Sequence, residues 1–358
     1  MDLSTFRWQD HPGNPLVEPE SPKWLVADPS VLLSHETPDG LWRLYANTIP
    51  PRLVEYVSRD GVSWRKSREL FKGALRPFVR RFGARWWLFY ERVTRWLPLR
   101  SHIECRYSND LENWSQPARV LEPNLGWHGR RARTCSNPSV VRWGGEWRLF
   151  YSAGVVWLPD CKFFEPRFIG VARSDRLGGP WRPDLEPLIS PDPHDPQRNL
   201  GAGAIRALPD PGGGPQWALT NGIFRDAAKR SRSAISIVRL SPDARRWQAH
   251  GDEPVLGPEP GWKAALVYAM DLRFREGPQG REGWLYYNAR DGWFRGRESI
   301  GLACGVPGKS ARDGLSRGNF EKPTRKGESS AATLDLDGGR EASMERQGSG
   351  KRTPGRQP

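Results

Sequence analysis

The sequence has little cysteine and no long apolar run. Its four cysteines, Cys105, Cys135, Cys161 and Cys304, form neither a CxxC pair nor a His/Cys cluster with zinc spacing. We therefore expect free thiols, no metal and no cofactor. No stretch approaches the roughly 18 consecutive apolar residues of a membrane span, so none is predicted. Residues 1–15 lack a basic region followed by an apolar run, so we predict no secretory signal and a cytoplasmic location.

Aromatic residues are nearly absent from the end of the chain. All 18 Trp lie before position 294, and residues 306–358 contain no Trp or Tyr and a single Phe. Such a segment cannot bury enough apolar surface to offset the entropy lost on ordering. We therefore predict one folded domain over residues 1–305 and a disordered, low-complexity tail over residues 306–358.

Basic residues, tryptophan, proline and glycine are abundant. Lys and Arg number 55 against 41 Asp and Glu, which gives a formal net charge of +14. Only Arg130, Arg131 and Arg133 concentrate this charge in one segment, so we do not expect a nucleic-acid partner. The 18 Trp, 33 Pro and 38 Gly indicate many turns and aromatic contacts, which favours an all-β fold over a helical bundle.

A unit of four strands recurs five times along the sequence. Each repeat has a strand that begins with Trp after a turn rich in Gly or Asp, as in Trp42-Arg-Leu-Tyr and Trp147-Arg-Leu-Phe. Four repeats then end a third strand in Ser and Asp before a further Trp, as in Ser58-Arg-Asp60…Trp64. Four-stranded units repeated around an axis form a β-propeller. We predict five blades over residues 24–71, 75–122, 136–190, 200–257 and 268–304.

The fifth repeat contains only three strands before the tail begins. Its fourth strand is predicted at residues 14–18, because Asn14-Pro-Leu-Val matches Glu186-Pro-Leu-Ile and Glu253-Pro-Val-Leu, the predicted fourth strands of blades three and four. Pairing of this N-terminal strand with blade five would close the ring and leave no sheet edge exposed. The predicted fold is an all-β, five-bladed β-propeller closed by an N-terminal strand.

Two rings of mainly polar positions are predicted at one end of the propeller axis, where the first strand of each blade begins and the second ends. The first ring comprises Asp28, Arg76, Asn137, a Gly within 201–203, and Asp271. The second ring comprises Asn47, Glu91, Ser152, Asn221 and Asn288. Polar groups are costly to desolvate unless they are used, which favours a binding or catalytic site. The alternative is that they bind water or cap strands.

Three motifs carry a resemblance to a known family. Ala27-Asp28-Pro29-Ser30-Val31, Trp42-Arg-Leu-Tyr45 and the Ser58 to Trp64 segment resemble the five-bladed β-propeller glycosidases of glycoside hydrolase family 43 and its relatives. The resemblance covers residues 14–304 and implies that Asp28 is the general base. It also implies an Asp that opens blade three and a Glu, the general acid, that opens blade four. Asn137 and the carboxylate-free stretch 199–205 occupy those positions here.

Glycoside hydrolysis uses two carboxyl groups that flank the scissile bond. The sequence offers Asp28 as general base and Glu91, or in its place Asp271, as general acid. Glu91 would need a raised pKa, which burial favours and the neighbouring cation of Arg76 opposes. Two residues slightly further along blade five are added as substrate-binding candidates, Arg290 and Asp291.

A carbohydrate is the predicted partner. Arg76 suits a carboxylate or phosphate group on the substrate, so the sugar could be anionic; alternatively, Arg76 pairs with Asp28 or Glu91. Tryptophans in the rim loops could stack on sugar rings or pack between blades. These substrate-binding candidates are Trp96, Trp127, Trp157 and Trp262.

The leading hypothesis is a carbohydrate-active enzyme that hydrolyses or transfers a glycosyl group in an axial pocket. The carboxylates missing from blades three and four favour the alternative, a non-catalytic carbohydrate-binding propeller. A weaker alternative is a protein-interaction propeller, which would present a broad apolar patch in place of a polar pocket.

Overall fold

The computed structural model of the 358-residue chain describes residues 2–208, 216–277 and 280–308. Within these residues, strands form five antiparallel sheets of four strands each. Three short 3-10 helices, Leu3–Thr5, Ser34–Glu36 and Gly126–His128, are the helical elements of the described part of the chain. The predicted all-β, five-bladed propeller is therefore confirmed. Residues 309–358, which make up most of the predicted tail, lie outside the described residues.

The chain begins with a strand of the last blade, β1 (Phe6–Asp10), and then builds the blades in order. Blade one comprises β2 (Val26–Leu32), β3 (Trp42–Thr48), β4 (Arg52–Ser58) and β5 (Arg65–Lys72). Blade two comprises β6 (Ala74–Phe82), β7 (Arg85–Trp96), β8 (Leu99–Ser108) and β9 (Ala118–Leu121). Blade three comprises β10 (Cys135–Trp143), β11 (Glu146–Leu158), β12 (Phe163–Ser174) and β13 (Arg182–Pro183).

The remaining two blades complete the ring. Blade four comprises β14 (Gly201–Leu208), β15 (Gln216–Arg225), β16 (Ser231–Leu240) and β17 (Trp247–His250). Blade five comprises β18 (Leu266–Gly277), β19 (Gly280–Arg290), β20 (Glu298–Pro307) and β1. The first strands of the blades, β2, β6, β10, β14 and β18, contact one another around the axis.

The apolar core is divided among the contacts between neighbouring blades. Tyr45 and Leu53 of blade one, for example, share one buried cluster with Val79 and Leu88 of blade two. Each of the other four blade contacts has its own cluster of this kind. Each blade packs against a neighbouring blade on both of its faces. An inner strand such as β3 is therefore buried along its whole length. Polar side chains of the inner strands are therefore concentrated at the two ends of the axis.

The closing strand lies earlier in the chain than predicted. Residues 6–10 form the outer strand of blade five and pair with β20 along their whole length. Within the predicted segment, residues 14–18, Val17 forms only an isolated bridge to Ile300. The partner strand β20 also runs two residues past the predicted domain limit at residue 305.

The same correction applies to the fourth strands of blades three and four. In both blades the outer strand, β13 or β17, precedes the predicted segment. Ile189 and Leu256, which lie in the predicted segments, form isolated bridges to Ile169 and Ile235. The repeat was recognised correctly, but the segment is a connection rather than a strand.

The four cysteines are free thiols, as the sequence predicts. Among the described residues, no helix combines the length and the hydrophobicity that a bilayer crossing requires.

Candidate active site in the axial cavity

A cavity of about 400 Å³ opens at the end of the axis where the first strands begin. Its wall contains most of the residues that the sequence analysis placed there. These are Asp28, Asn47, Arg76, Glu91, Asn137, Asn221, Asn288, Arg290, Trp96 and Trp157. The two polar rings are therefore brought together, with the exceptions described below.

A bulge near the start of each first strand positions the inner ring. Opposite these bulges the strand register shifts in all five blades. Asp28, Arg76 and Asn137 occupy the bulges of the first three blades, with left-handed φ values of 57°, 53° and 48°. Each is followed by proline, which cannot contribute an N–H to the ladder. A bulge bends the strand and redirects its side chains, here into the cavity.

Side chains of the second ring hold these bulges from the neighbouring blade. Asn288 Oδ1 accepts the backbone N–H of Asp28 at 3.1 Å, and Asn47 Oδ1 accepts that of Arg76 at 2.6 Å. Ser152 is fully buried and does not line the cavity; its hydroxyl donates to the Gly203 carbonyl at 2.6 Å. The second ring therefore links blades as well as lining the site.

Arg76 lies between two carboxylates. Its Nη1 is 2.5 Å from Glu91 Oε2, and its Nε is 4.0 Å from Asp28 Oδ1. Burial lowers the pKa of Arg76, but the charges of Glu91 and Asp28 outweigh it and raise that pKa. Burial likewise raises the pKa of Asp28, while the cation of Arg76 opposes the rise. Arg76 therefore pairs within the protein, the second of the two roles considered from the sequence.

Two carboxyl groups in the cavity wall were not predicted. Glu165 lies on β12 and forms no hydrogen bond or ion pair with the described residues, and burial raises its pKa to about 8. Glu298 is the first residue of β20 and accepts a hydrogen bond from Asn288 Nδ2 at 2.7 Å. Burial raises the pKa of Glu298 to about 7, against the lowering effect of Arg290.

Glu165 reaches the axis because its hairpin is long. β11 and β12 have 13 and 12 residues, whereas β3 and β4 have seven each. The ends of this hairpin therefore extend over the cavity, where Glu165 pairs in register with Val156. The only sequence signal was the extra length of repeat three, together with one carboxylate after Phe163 and Phe164.

Asp271 is not in the cavity, which corrects its prediction as a catalytic acid. The register shift in blade five places Ala269, two residues earlier, in the cavity wall. The Asp271 carboxylate is buried, pairs with Arg80 and accepts the N–H of Val31 at 2.6 Å. The sequence analysis matched Asp271 to the polar positions that open the other blades. The structure shows that the matching position in blade five is the bulge residue, Ala269.

The predicted rim tryptophans divide into two groups. Trp96 and Trp157 are 53% and 43% exposed and line the cavity, together with Trp24, a further tryptophan of the rim loops. Trp127 and Trp262 pack between elements instead of lining the cavity.

Trp127 and Trp262 can pack inside the fold because each ring lies against a glycine in a third strand, in blade three for Trp127 and in blade five for Trp262. A Cβ at Gly170 would lie 2.3 Å from the Trp127 ring, and one at Gly301 would lie 2.5 Å from the Trp262 ring.

Asp291 also lies outside the cavity wall; its carboxylate accepts the N–H of Arg297 in a turn.

Two buried amide oxygens in the cavity wall have no partner among the described residues. Asn137 donates its Nδ2 to the Gly203 carbonyl at 2.9 Å, and its Oδ1 is free. Asn221 donates to Ser233 Oγ at 3.2 Å, and its Oδ1 is also free. Buried acceptors are normally satisfied, so both oxygens are suited to receive hydroxyl donors from a ligand.

Over the described residues, no group of three or more His, Cys, Asp or Glu has a geometry suited to a metal ion.

Known structures share this architecture. The catalytic domain of a GH62 α-L-arabinofuranosidase from Coprinopsis cinerea matches with a TM-score of 0.61 at 17% identity, over 85% of this chain and 98% of that chain. A family 117 glycoside hydrolase from Zobellia galactanivorans matches with a TM-score of 0.52 at 11% identity, over 84% and 90%. The chain shares the fold of propeller glycosidases.

A third match is an N-acetylgalactosamine deacetylase from F. plautii, solved with blood group B trisaccharide. It has a TM-score of 0.57 at 15% identity, over 83% of this chain and 94% of that chain. No protein-family model matches the chain, and no curated protein matches its sequence. At these identities the likeness to propeller glycosidases concerns the fold, so the chemistry of this chain depends on its own residues.

Proposed function

We propose that the protein is a glycoside hydrolase that cleaves its substrate in the axial cavity, with Asp28 as general base and Glu165 as general acid. The observation that carries this proposal is the presence of two carboxyl groups with different surroundings in one cavity. Asp28 lies beside the cation of Arg76, whereas Glu165 forms no ion pair within the described part of the chain and burial raises its pKa to about 8. Such a pair can accept and donate a proton in one reaction.

The proposed reaction is a single displacement. Glu165 is mostly protonated at neutral pH and donates its proton to the glycosidic oxygen as the bond from that oxygen to the anomeric carbon breaks. Asp28 removes a proton from a water molecule, whose oxygen forms the new bond to the anomeric carbon. Glu165 ends as the carboxylate and Asp28 as the acid, and proton exchange with solvent restores both.

Glu91 has a different role in this scheme from the one the sequence suggested. Its carboxylate is buried and engaged by Arg76 at 2.5 Å, so it is not available to face a substrate oxygen. We assign Glu91 to holding the guanidinium of Arg76 beside Asp28. Arg76 in turn stabilises the ionised form of the base.

A carbohydrate fits the remaining surface of the cavity. Trp96 and Trp157 offer exposed aromatic faces at the mouth, on which sugar rings stack. The free oxygens of Asn137 and Asn221 can accept sugar hydroxyls. Because Glu91 already neutralises Arg76, we expect a neutral sugar to bind better than a uronide.

The alternative function is a carbohydrate-binding propeller without catalysis. It is favoured by Asn137, which occupies the position where the resembled family has a carboxylate. Stacking tryptophans and free amide oxygens would serve binding equally well, so only a turnover measurement separates the two functions.

A hydrolysis screen tests the proposal. The full chain, Asp28→Asn, Glu165→Gln and the control Asp175→Asn, whose side chain is 82% exposed, are incubated with aryl furanosides, pyranosides and uronides. We expect release by wild type and the control, and a loss of about 100-fold or more in each cavity variant. Sugar binding by calorimetry without release from any substrate would instead establish the binding function.

A further inference from the structure

A second cavity, of about 560 Å³, lies at the opposite end of the propeller axis. Later residues of the same first strands form its wall, including Phe78, Ser139, Arg206 and Asp271. It shares no lining residue with the candidate active site. None of the reaction steps proposed above uses this second cavity.

The second cavity has an excess of positive charge. Its wall contains five arginines, namely Arg80, Arg142, Arg206, Arg273 and Arg281. The two carboxylates in the wall are already paired, Asp271 with Arg80 and Glu36 with Arg273. The other three arginines have no carboxylate partner among the described residues. The arginines of this wall therefore outnumber its carboxylates by three.

Arg206 is the most unusual of these three. It is 2% exposed, and its Nη1 donates to the carbonyls of Pro138 and Ile205, both at 3.3 Å. Its Nε and Nη2 have no hydrogen-bond partner in the described part of the chain. Burial lowers its pKa to about 10; the charge of Asp271 opposes this lowering, and the cation of Arg80 adds to it. A buried guanidinium with two unused donors is costly, so a stable fold normally supplies a partner for it.

One further unsatisfied group points into the same space. Ser139 is 1% exposed, and its hydroxyl has no partner among the described residues. Nε and Nη2 of a guanidinium form the parallel pair of donors that matches two oxygens of one phosphate or carboxylate group. Arg142 and Arg281 are exposed and can attract an anion to the mouth.

We propose that this second cavity is an anion site that binds a phosphate group, held by Nε and Nη2 of Arg206 and by the Ser139 hydroxyl. The site is separate from the proposed catalytic cavity and does not depend on hydrolysis. Its volume exceeds that of a phosphate ion, and Phe82 and Phe274 provide apolar wall for the organic part of a phosphate ester.

Calorimetric titration of the full chain tests this site. The probes are inorganic phosphate, glucose 6-phosphate and, as the uncharged arm, glucose. Tighter binding of the ester than of inorganic phosphate identifies an organic phosphate as the ligand; equal binding identifies free phosphate. We expect Arg206→Met to weaken phosphate binding by about 10- to 100-fold, as loss of a charge-assisted pair of hydrogen bonds predicts.

Two further variants make the result decisive. Arg182→Met removes the same charge from an exposed position of β13 and should leave binding unchanged. Arg142→Gln/Arg281→Gln alters only exposed side chains, so it should fold normally and still weaken binding severalfold. If Arg206→Met does not fold, the double variant decides. No phosphate binding by wild type, or the same affinity in wild type and the double variant, would overturn the proposal.

Discussion

At the scale of single residues, the partner of a buried charge decides its chemistry. Glu91 and Glu165 lie in the wall of one cavity, yet only Glu91 has an arginine in direct contact. Burial disfavours the ionised form of Glu165 most strongly, and the negative charges of Glu298 and Asp28 add to this effect, which the more distant cations of Arg76 and Arg290 only partly offset. With a pKa of about 8, Glu165 is suited to donate a proton near neutral pH.

The pH dependence of kcat/KM tests this assignment. A raised pKa means that Glu165 keeps its proton up to higher pH, so the active acid form is present below about pH 8 and is lost above it. We expect the alkaline limb of the profile near pH 8. Glu298→Gln removes a neighbouring negative charge and should move that limb to lower pH. An alkaline limb that is unchanged in Glu298→Gln would contradict the role given to Glu165.

At the scale of elements, similar local sequences serve different purposes. Trp157 ends a long hairpin and is 43% exposed at the cavity mouth. Trp127 follows a glycine in a connection and packs on Gly170, its indole Nε1 donating to the Leu185 carbonyl at 2.9 Å. For these two rings, the position in the fold, rather than the presence of tryptophan, determines which one can meet a ligand.

Two alanine variants separate these roles. We expect Trp157→Ala to raise KM by about 2- to 10-fold, as loss of one aromatic stacking contact predicts, with an unchanged free energy of unfolding. We expect Trp127→Ala to lower the free energy of unfolding by about 3 kcal/mol, with KM little changed. Substrate kinetics and urea denaturation measure both quantities. Equal effects of the two variants on KM would contradict the division.

At the scale of the whole molecule, ring closure depends on the first residues of the chain. β1 supplies the outer strand of the last blade, and Leu3 and Phe6 are buried in the apolar cluster between blades four and five. The two ends of the described chain are thereby joined in one sheet. Without β1, the strand β20 would present an unpaired edge.

Deletion of residues 2–10 tests this closure. Loss of two buried side chains, each worth about 2–5 kcal/mol, would remove much of the roughly 5–15 kcal/mol by which a domain is stable. We expect a strongly lowered melting temperature and aggregation through the open edge. A chain that ends at residue 308 keeps every described strand and should melt like the full chain. Equal melting of both truncated chains would show that closure by β1 is dispensable.

The sequence by itself determined the architecture of this protein. Strand alternation and turn residues recur in all five repeats, and the Ser-Asp turn seen before Trp64 recurs in four; these local patterns leave a propeller as the consistent solution. It also located much of the polar axis, because Asp28, Arg76 and Asn137 each precede proline at the same place in their repeats. Local sequence patterns were sufficient for these features because strands, turns and bulges depend mainly on residues that are close together in the chain.

Only the tertiary structure decided which polar groups share a cavity. A strand presents alternate residues to opposite faces, so the bulge register of β18 moves Asp271 out of the site and Ala269 into it. Glu165 enters through a long hairpin, and Arg206 contacts Pro138 of blade three and the Phe78 ring of blade two. Burial and charge partners come from residues distant in the chain, and these long-range contacts determine the protonation of Glu165 and the unmet donors of Arg206.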